Sequence, residues 1–72
     1  MSKFPSRLKE IRLQMKFTQR QIATEIEISE TQYQNYEYGK KEPTLSNFEK
    51  LCNYFNVSAD YLLGLSDDPT RH

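Results

Sequence analysis

Two helix-capping patterns lie close together in the first half of this chain, one beginning at Thr18 and the other at Ser29. Each is followed three residues later by a glutamine, Gln21 or Gln32. This spacing is typical of a capping box, in which paired side chains satisfy the backbone N–H groups that a helix start leaves without partners. The distance between the two caps allows a helix of only about two turns. The pattern therefore predicts two short helices joined by a tight turn.

The residues after each cap have the periodicity of amphipathic helices. Ile22, Ala23 and Ile26 fall at i, i+1 and i+4, which places them on one face of a helix. The next helix is expected to span roughly Glu30 to Tyr38 and to end at Gly39, because glycine readily takes the left-handed conformation that closes a helix. Two short helices in this arrangement form a helix-turn-helix.

Further helices are predicted on both sides of this motif, and no strand. The first is expected from about Pro5 to Met15, with proline at a favourable first-turn position and an apolar stripe of Leu8, Ile11 and Met15. A fourth helix begins after the cap Thr44. Its apolar residues repeat on one side; they are Leu45, Phe48, Leu51, Cys52 and Phe55.

The last predicted helix is short. Ser58 caps it, and it should run through Leu63 and end at Gly64. The apolar residues available for packing here are Val57, Tyr61, Leu62 and Leu65. The expected fold class is all-α, with five helices in one domain at residues 1–65. Residues 66–72, which include Asp67, Asp68 and Pro69, are expected to form a flexible C-terminal tail or the start of a linker.

Length and composition limit the possible functions. A chain of 72 residues makes one domain, and it buries only about 60% of its unfolded surface. Its one cysteine, Cys52, excludes an internal disulfide and is expected to be a core residue rather than a reactive thiol. No apolar run approaches the roughly 18 residues of a membrane span or has the plan of a signal peptide, so a cytoplasmic protein with no membrane contact is expected.

The sequence does not have the pattern of an active site or a metal site. The only histidine is His72, a metal pair would need a second cysteine, and the acidic residues are not clustered about a nucleophile. No enzymatic activity, metal or cofactor is therefore expected.

Charged residues are unevenly distributed along the chain. The net charge is zero, which argues against nucleic acid as a partner, because domains that bind it usually have a pI above about 9. Residues 1–20, however, carry six basic residues against one acid, a balance of +5. Residues 21–39 carry four acids and no basic residue, and residues 42–72 carry five acids against two basic residues. A local basic rim could contact DNA; the alternative is that these charges form ordinary solvated faces.

A set of residues in and around the motif resembles the Cro and phage-repressor type of helix-turn-helix domain, the XRE-like type. They are Thr18-Gln19, Ile22-Ala23, Ser29, Glu37-Tyr38-Gly39 and Pro43, with Leu8, Arg12, Leu51, Val57, Leu62 and Gly64 on the flanks. The resemblance covers roughly residues 4–66. It implies a compact five-helix, lambda-repressor-like fold. It also implies a sequence-specific DNA-binding transcriptional regulator of bacterial or phage type, expected to be a repressor that occupies an operator with its third helix in the major groove.

The third helix is expected to carry the base-reading side chains. Tyr33 and Tyr36 lie where the family usually has apolar residues, so they should bury one face of the helix. The opposite face is polar and forms the stripe that a helix offers to a major groove; it consists of Glu30, Thr31, Gln34 and Asn35. Asparagine can pair with adenine, glutamate can accept from cytosine, and threonine can contact the thymine methyl. The alternative is a merely polar surface.

The resemblance also implies which residues hold the DNA backbone. In such repressors the start of the second helix, the loop after the third and the start of the fourth contact phosphates. The matching positions are Gln19, Lys40, Lys41, Thr44 and Asn47, with Arg20 and Gln32 as further candidates. Family members pair the residues at the positions of Arg12 and Glu37 inside the domain, which here would brace the first helix against the end of the third.

Two turn residues depart from the family pattern. Lys16 and Glu27 occupy positions where glycine is common in the family, so both are expected to have positive φ. The cost of that conformation is roughly 1 kcal/mol for a residue that has a Cβ.

The expected partner is double-stranded DNA, bound by a homodimer. One domain presents a single short reading helix, and operators of this class are usually palindromes of two half-sites. The apolar end of the last helix, around Leu65, is a candidate for the contact between two copies. Two alternatives stay open: a protein-binding module of the same fold, and the antitoxin of a toxin–antitoxin pair.

Overall fold

The computed structural model describes residues 3–71, which form helices and connecting turns and no strand. The helices are α1 (Phe4–Gln14), α2 (Gln19–Glu25), α3 (Glu30–Glu37), α4 (Leu45–Phe55) and α5 (Ala59–Leu63). The prediction of an all-α fold with five helices and a central helix-turn-helix is confirmed. None of the helices in this range is long and apolar enough to cross a membrane.

Hydroxyl caps start four of the helices. In each, the side-chain oxygen accepts a hydrogen bond from the backbone N–H three residues on; the caps are Thr18, Ser29, Thr44 and Ser58. At Thr18 the capping box is complete, because the side chain of Gln21 accepts from the Thr18 backbone N–H at 2.7 Å. At Ser29 the capping box is only half formed. The prediction that the side chain of Gln32 completes it was wrong. The amide of Gln32 instead donates to the hydroxyl of Tyr36.

A single core lies between the helices. α2 packs on α3, α1 packs on α3 and on α5, and α4 packs on α5. The buried apolar side chains are Phe4, Leu8, Ile11, Ile22, Ala23, Ile26, Tyr33, Tyr36, Leu51, Cys52, Phe55, Val57 and Leu62. The predicted burial of Tyr33 and Tyr36 is confirmed. Cys52 is a core residue as expected, and burial raises the pKa of its thiol.

Three apolar residues that were expected to pack are exposed instead. Met15 is 43% exposed because α1 ends one residue before it. Leu45 is 84% exposed because it opens α4, whose fully buried residues begin only at Leu51. Leu65 is 74% exposed because it follows Gly64, where α5 has already ended. All three lie at a helix end or beyond it, where helical periodicity no longer fixes the direction of a side chain.

Both predicted turn residues have positive φ, 61° at Lys16 and 63° at Glu27. Lys16 lies between α1 and α2, and Glu27 lies between α2 and α3, so these residues set the angles at both ends of α2. Asn56 adds a φ of 57° at the end of α4, which the sequence did not indicate. Asparagine is among the residues that tolerate this conformation best.

Replacing Glu27 with glycine is expected to stabilise the protein. A residue with a Cβ at a φ of 63° carries strain of roughly 1 kcal/mol, which glycine removes. Glycine also adds freedom to the unfolded chain, so the expected net gain is roughly 0.5 kcal/mol in the free energy of unfolding. Urea unfolding measures it. Glu27→Ala is the matched control, since it removes the carboxylate but keeps the Cβ, and it should gain little. A glycine variant that unfolds more easily than the parent would contradict the strain argument.

The segment after α5 has no regular secondary structure but forms hydrogen bonds to the helices. Nη1 of Arg7 donates to the carbonyl oxygen of Ser66 at 3.3 Å. The N–H of Ser58 donates to the carbonyl oxygen of Pro69 at 3.0 Å. The domain limit at residue 65 and the flexibility of the residues after it stay predictions, and His72 lies outside the described residues.

Candidate nucleic-acid interface

The outward face of α3 carries the four candidate base-reading residues. Tyr33 and Tyr36 turn into the core, where they are 0% and 2% exposed, and they thereby fix which side of the helix meets solvent. On the other side Thr31 is exposed, and three polar residues are half-buried: Glu30, Gln34 and Asn35.

Two of the four candidates are already held by residues at the start of α2. Nε of Arg20 donates to Oε1 of Glu30 at 3.3 Å. Nε2 of Gln34 donates to Oε1 of Gln19 at 3.1 Å. The other two side chains form no hydrogen bond to any residue within 3–71; they are Thr31 and Asn35. These two can contact a ligand without first breaking an internal bond.

A buried ion pair braces α1 against the end of α3. Nε of Arg12 lies 2.6 Å from Oε2 of Glu37, and Nη2 lies 3.1 Å from Oε1, so the pair is bidentate. The two side chains are 12% and 1% exposed. Nη1 of Arg12 also donates to the carbonyl oxygen of Phe17 at 3.2 Å, in the turn before α2. One guanidinium therefore fixes the positions of α1, α3 and the start of α2 relative to one another.

The donors around Glu37 keep its carboxylate ionised. Burial raises the pKa of Glu37, but hydrogen bonds from Arg12 and Gln19 act in the opposite direction, and the resulting pKa lies below its ordinary value. The hydrogen bond to Glu37 raises the pKa of Arg12. Burial raises the pKa of the Tyr33 hydroxyl, which stays protonated beside the pair. No group of His, Cys, Asp and Glu side chains within residues 3–71 could hold a metal ion.

Stability should depend on pH through Glu37. Because its pKa in the folded protein lies below the ordinary value of 4.5, the carboxylate stabilises the fold above that pH. This contribution is lost as the pH falls through the folded-state pKa. Glu37→Gln should therefore unfold in less urea than the parent at neutral pH, and the gap should close in acid. Glu10→Gln, which changes an exposed carboxylate on α1, should show no comparable gap at neutral pH. A gap that is the same at every pH would mean that Glu37 carries no charge in the folded protein.

Four of the candidate phosphate-contacting residues lie at the start of α2 and in the loop after α3. Gln19 and Arg20 begin α2 and form the hydrogen bonds to α3 described above. Lys40 and Lys41 are exposed just after α3, where their backbone N–H groups both donate to the carbonyl oxygen of Asn35, at 2.9 and 3.3 Å. These hydrogen bonds tie the backbone of the loop that carries both lysines to the last turn of α3.

The other three candidate phosphate-contacting residues are Gln32 on α3, and Thr44 and Asn47 at the start of α4. The hydroxyl of Tyr36 accepts from Nε2 of Gln32 at 3.1 Å and from Nδ2 of Asn47 at 3.0 Å. Thr44 caps α4, and its Oγ1 accepts from the N–H of Asn47 at 3.1 Å. Asn47 therefore brings the start of α4 beside α3. The backbone N–H groups and the dipole at a helix start favour a phosphate.

Two features of this surface were not predicted from the sequence. One is the chain of hydrogen bonds that joins Glu37, Gln19 and Gln34. The other is Tyr38, which is 60% exposed directly after α3, with Nζ of Lys40 at 6.0 Å from its ring centre. The residues of the hydrogen-bond chain come from different helices and meet only after those helices have packed, so neither spacing nor composition indicates it. The sequence marks Tyr38 only by its position, as an aromatic residue directly before Gly39, where the helix ends.

The geometry of α2 and α3 defines a helix-turn-helix protein: two capped helices, a turn with positive φ between them, and a polar outer face on the second. Residues 6–67 match the family described as a helix-turn-helix domain, and the chain belongs to this family. The XRE-like resemblance seen in the sequence is confirmed.

The chain is also similar to curated bacterial and phage proteins. It is 41% identical over 63 residues to the uncharacterized HTH-type transcriptional regulator YobD of Bacillus subtilis, covering 88% of this chain and 56% of that protein. It is 41% identical over 58 residues to the HTH-type transcriptional regulator ImmR of Bacillus subtilis, covering 81% and 46%. It is 40% identical over 62 residues to the cryptic phage CTXphi transcriptional repressor RstR of Vibrio cholerae, covering 86% and 55%. The chain thus spans about half the length of these relatives.

Proposed function

We propose that this chain is a sequence-specific DNA-binding transcriptional regulator, and that it represses transcription by occupying an operator with α3 in the major groove. The observation that carries the proposal is the two-sided build of α3. Its inner face is fixed in the core by Tyr33 and Tyr36, and the hydroxyl of Tyr36 also accepts from Asn47 at the start of α4. Its polar outer face is joined to the start of α2 by the hydrogen bond between Gln34 and Gln19. The names of the relatives support it, since one is a phage transcriptional repressor. A protein that acts on bacterial or phage DNA in this way works in the cytoplasm.

Four side chains on the outer face of α3 are proposed to read bases. The side chains of Asn35 and Thr31 form no hydrogen bond within residues 3–71, so each can turn toward a base edge. Asparagine suits adenine and threonine suits the thymine methyl. Nε of Arg20 lies 3.3 Å from Oε1 of Glu30. Glu30 can accept a hydrogen bond from cytosine once the guanidinium of Arg20 also contacts a phosphate or moves to one. Gln34 completes the set through its hydrogen bond to Gln19.

Residues on both sides of α3 are proposed to hold the DNA backbone and so fix the register of the reading helix. They are Gln19, Arg20, Gln32, Lys40, Lys41, Thr44 and Asn47. Lys40 and Lys41 supply charge, and the first turn of α4 supplies oriented backbone N–H groups. Because the chain has no net charge, we expect affinity to depend on geometry and dimerisation, with a shallow dependence on salt.

We propose a homodimer on a palindromic operator. A single chain offers one reading helix of eight residues, and two such helices spaced by about 34 Å would meet successive major grooves. Leu65 lies just after α5 and is 74% exposed, which makes it the candidate contact between the two copies.

A protein-binding module is the second candidate. The neutral charge of the chain favours it, and so do exposed apolar side chains away from the reading face, Leu13 at 56% and Leu65 at 74%. In that case these apolar side chains would contact a partner protein, and α3 would not bind DNA.

Selection from a pool of random duplexes, followed by mobility shift at several salt concentrations, tests the proposal. The expected result is enrichment of a palindrome that binds two chains. Binding that does not depend on sequence would contradict a reading role for α3. Absence of any salt-dependent binding would contradict the DNA partner altogether and favour the protein-binding module.

A further inference from the structure

A chain of hydrogen bonds connects the buried ion pair to the reading face of α3. Nε2 of Gln19 donates to Oε1 of Glu37 at 3.2 Å. Oε1 of the same Gln19 accepts from Nε2 of Gln34 at 3.1 Å. Gln19 therefore uses both ends of its amide inside the protein and bridges a buried carboxylate to a half-buried glutamine on the outer face.

The direction of these hydrogen bonds is set by chemistry. An ionised carboxylate can only accept, and Arg12 holds Glu37 in that form at 2.6 Å. Gln19 must therefore turn its NH₂ group toward Glu37, which leaves its carbonyl oxygen facing Gln34. That oxygen needs a donor, so Gln34 must present its own NH₂ group. Turning over either amide would place two acceptors face to face.

The orientation of Gln34 determines what it offers to a ligand. One N–H of its amide is used by Gln19, and the side chain keeps Oε1 and a second N–H, in a fixed order. The major-groove edge of adenine has the complementary pair, the N6 amino donor and the N7 acceptor. Guanine presents two acceptors at this edge, which would leave Oε1 of Gln34 facing another acceptor.

We propose that Gln19 and Glu37 are positioning residues that fix the amide of Gln34 for adenine. The buried carboxylate then contributes to base preference without touching DNA. The inference rests on the proposed function, since it assumes that α3 lies in the major groove. It also implies that Gln34 loses little rotational freedom when it binds, because it is ordered beforehand.

Gln19→Met tests the inference. Methionine keeps the length and unbranched shape of the side chain but removes both amide atoms. On duplexes selected with the parent protein, the preference for adenine at one position should fall about tenfold. A loss of this size lies within the discrimination that a bidentate contact to a base provides. Gln34→Ala should relax the same position. Preference at the position read by Asn35 should not change, and Lys40→Ala should weaken all sequences alike. A loss that is equal at every position for Gln19→Met would overturn the inference, since Gln19 would then act on DNA only through its proposed phosphate contact.

A second readout needs no DNA. Side-chain ¹⁵N relaxation of the NH₂ group of Gln34 should report an ordered amide in the parent and a mobile one in Gln19→Met, with the backbone of α3 unchanged. An amide equally mobile in both proteins would overturn the positioning role even if DNA binding is confirmed. If the parent shows no base preference at all, the proposed function fails and the role in adenine recognition fails with it. The relaxation measurement still decides whether Gln19 orders Gln34.

Discussion

Arg12→Ala is expected to lower the free energy of unfolding by roughly 3 kcal/mol or more. The change leaves the carboxylate of Glu37, whose side chain is 1% exposed, without the guanidinium that lies 2.6 Å from it. It also removes the donor to the carbonyl oxygen of Phe17, so the turn before α2 loses a contact as well. Small domains are only marginally stable, and a loss of this size should leave a measurable unfolded fraction without denaturant. Urea unfolding at neutral pH measures it.

The double variant Arg12→Ala with Glu37→Gln should regain part of that loss, because no unpaired charge then remains in the core. Arg20 and Glu30 form the matched control, since they are an ion pair at 3.3 Å with an 82% exposed arginine. Breaking this exposed pair should cost less than about 1 kcal/mol. If the losses at Arg12 and Glu37 add without recovery, the two residues do not interact in the folded protein.

Helix starts in this chain could be predicted because their signals are local. A hydroxyl side chain at the cap bonds to an N–H three residues away, and Thr18, Ser29, Thr44 and Ser58 all do so. Side chains at helix ends could not be predicted in the same way, because their direction depends on where the chain turns next. Met15, Leu45 and Leu65 are exposed for that reason. The positive φ at Lys16 and Glu27 followed from the family pattern, since nothing in the chemistry of lysine or glutamate indicates it.

In the candidate site, too, local features could be predicted from the sequence and contacts between helices could not. That α3 has a buried tyrosine face and a polar face follows from periodicity within one helix, and the structure has both. The links between α3 and its neighbours do not follow, because they join residues far apart in the chain. Gln19 meets Gln34 across 15 positions, and Asn47 meets Tyr36 across 11. These links decide which polar side chains of α3 are free and which are already held.

Asn35→Ala is expected to weaken binding to the preferred duplex by about 1 to 3 kcal/mol and to relax the preference at one base pair. Asn35 is the cleanest position for this test on α3. Its side chain forms no hydrogen bond within residues 3–71, so its truncation leaves no internal group unpaired. The free energy of unfolding should hold or rise slightly, since alanine is the better helix former. Titration of the parent and the variant on the selected duplex and its three single-base alternatives measures the effect.

Lys40→Ala separates base reading from attraction to the DNA backbone. Lys40 is exposed in the loop after α3, and a lysine that neutralises one phosphate should contribute equally on every sequence. Its removal should weaken all duplexes alike and flatten the dependence of binding on salt by about one unit, whereas Asn35→Ala should leave that slope unchanged. Gln34→Ala could not make this distinction, because it also leaves Oε1 of Gln19 without its donor. If Asn35→Ala instead behaves like Lys40→Ala on both measures, Asn35 contacts phosphate, and α3 does not turn this face toward the bases.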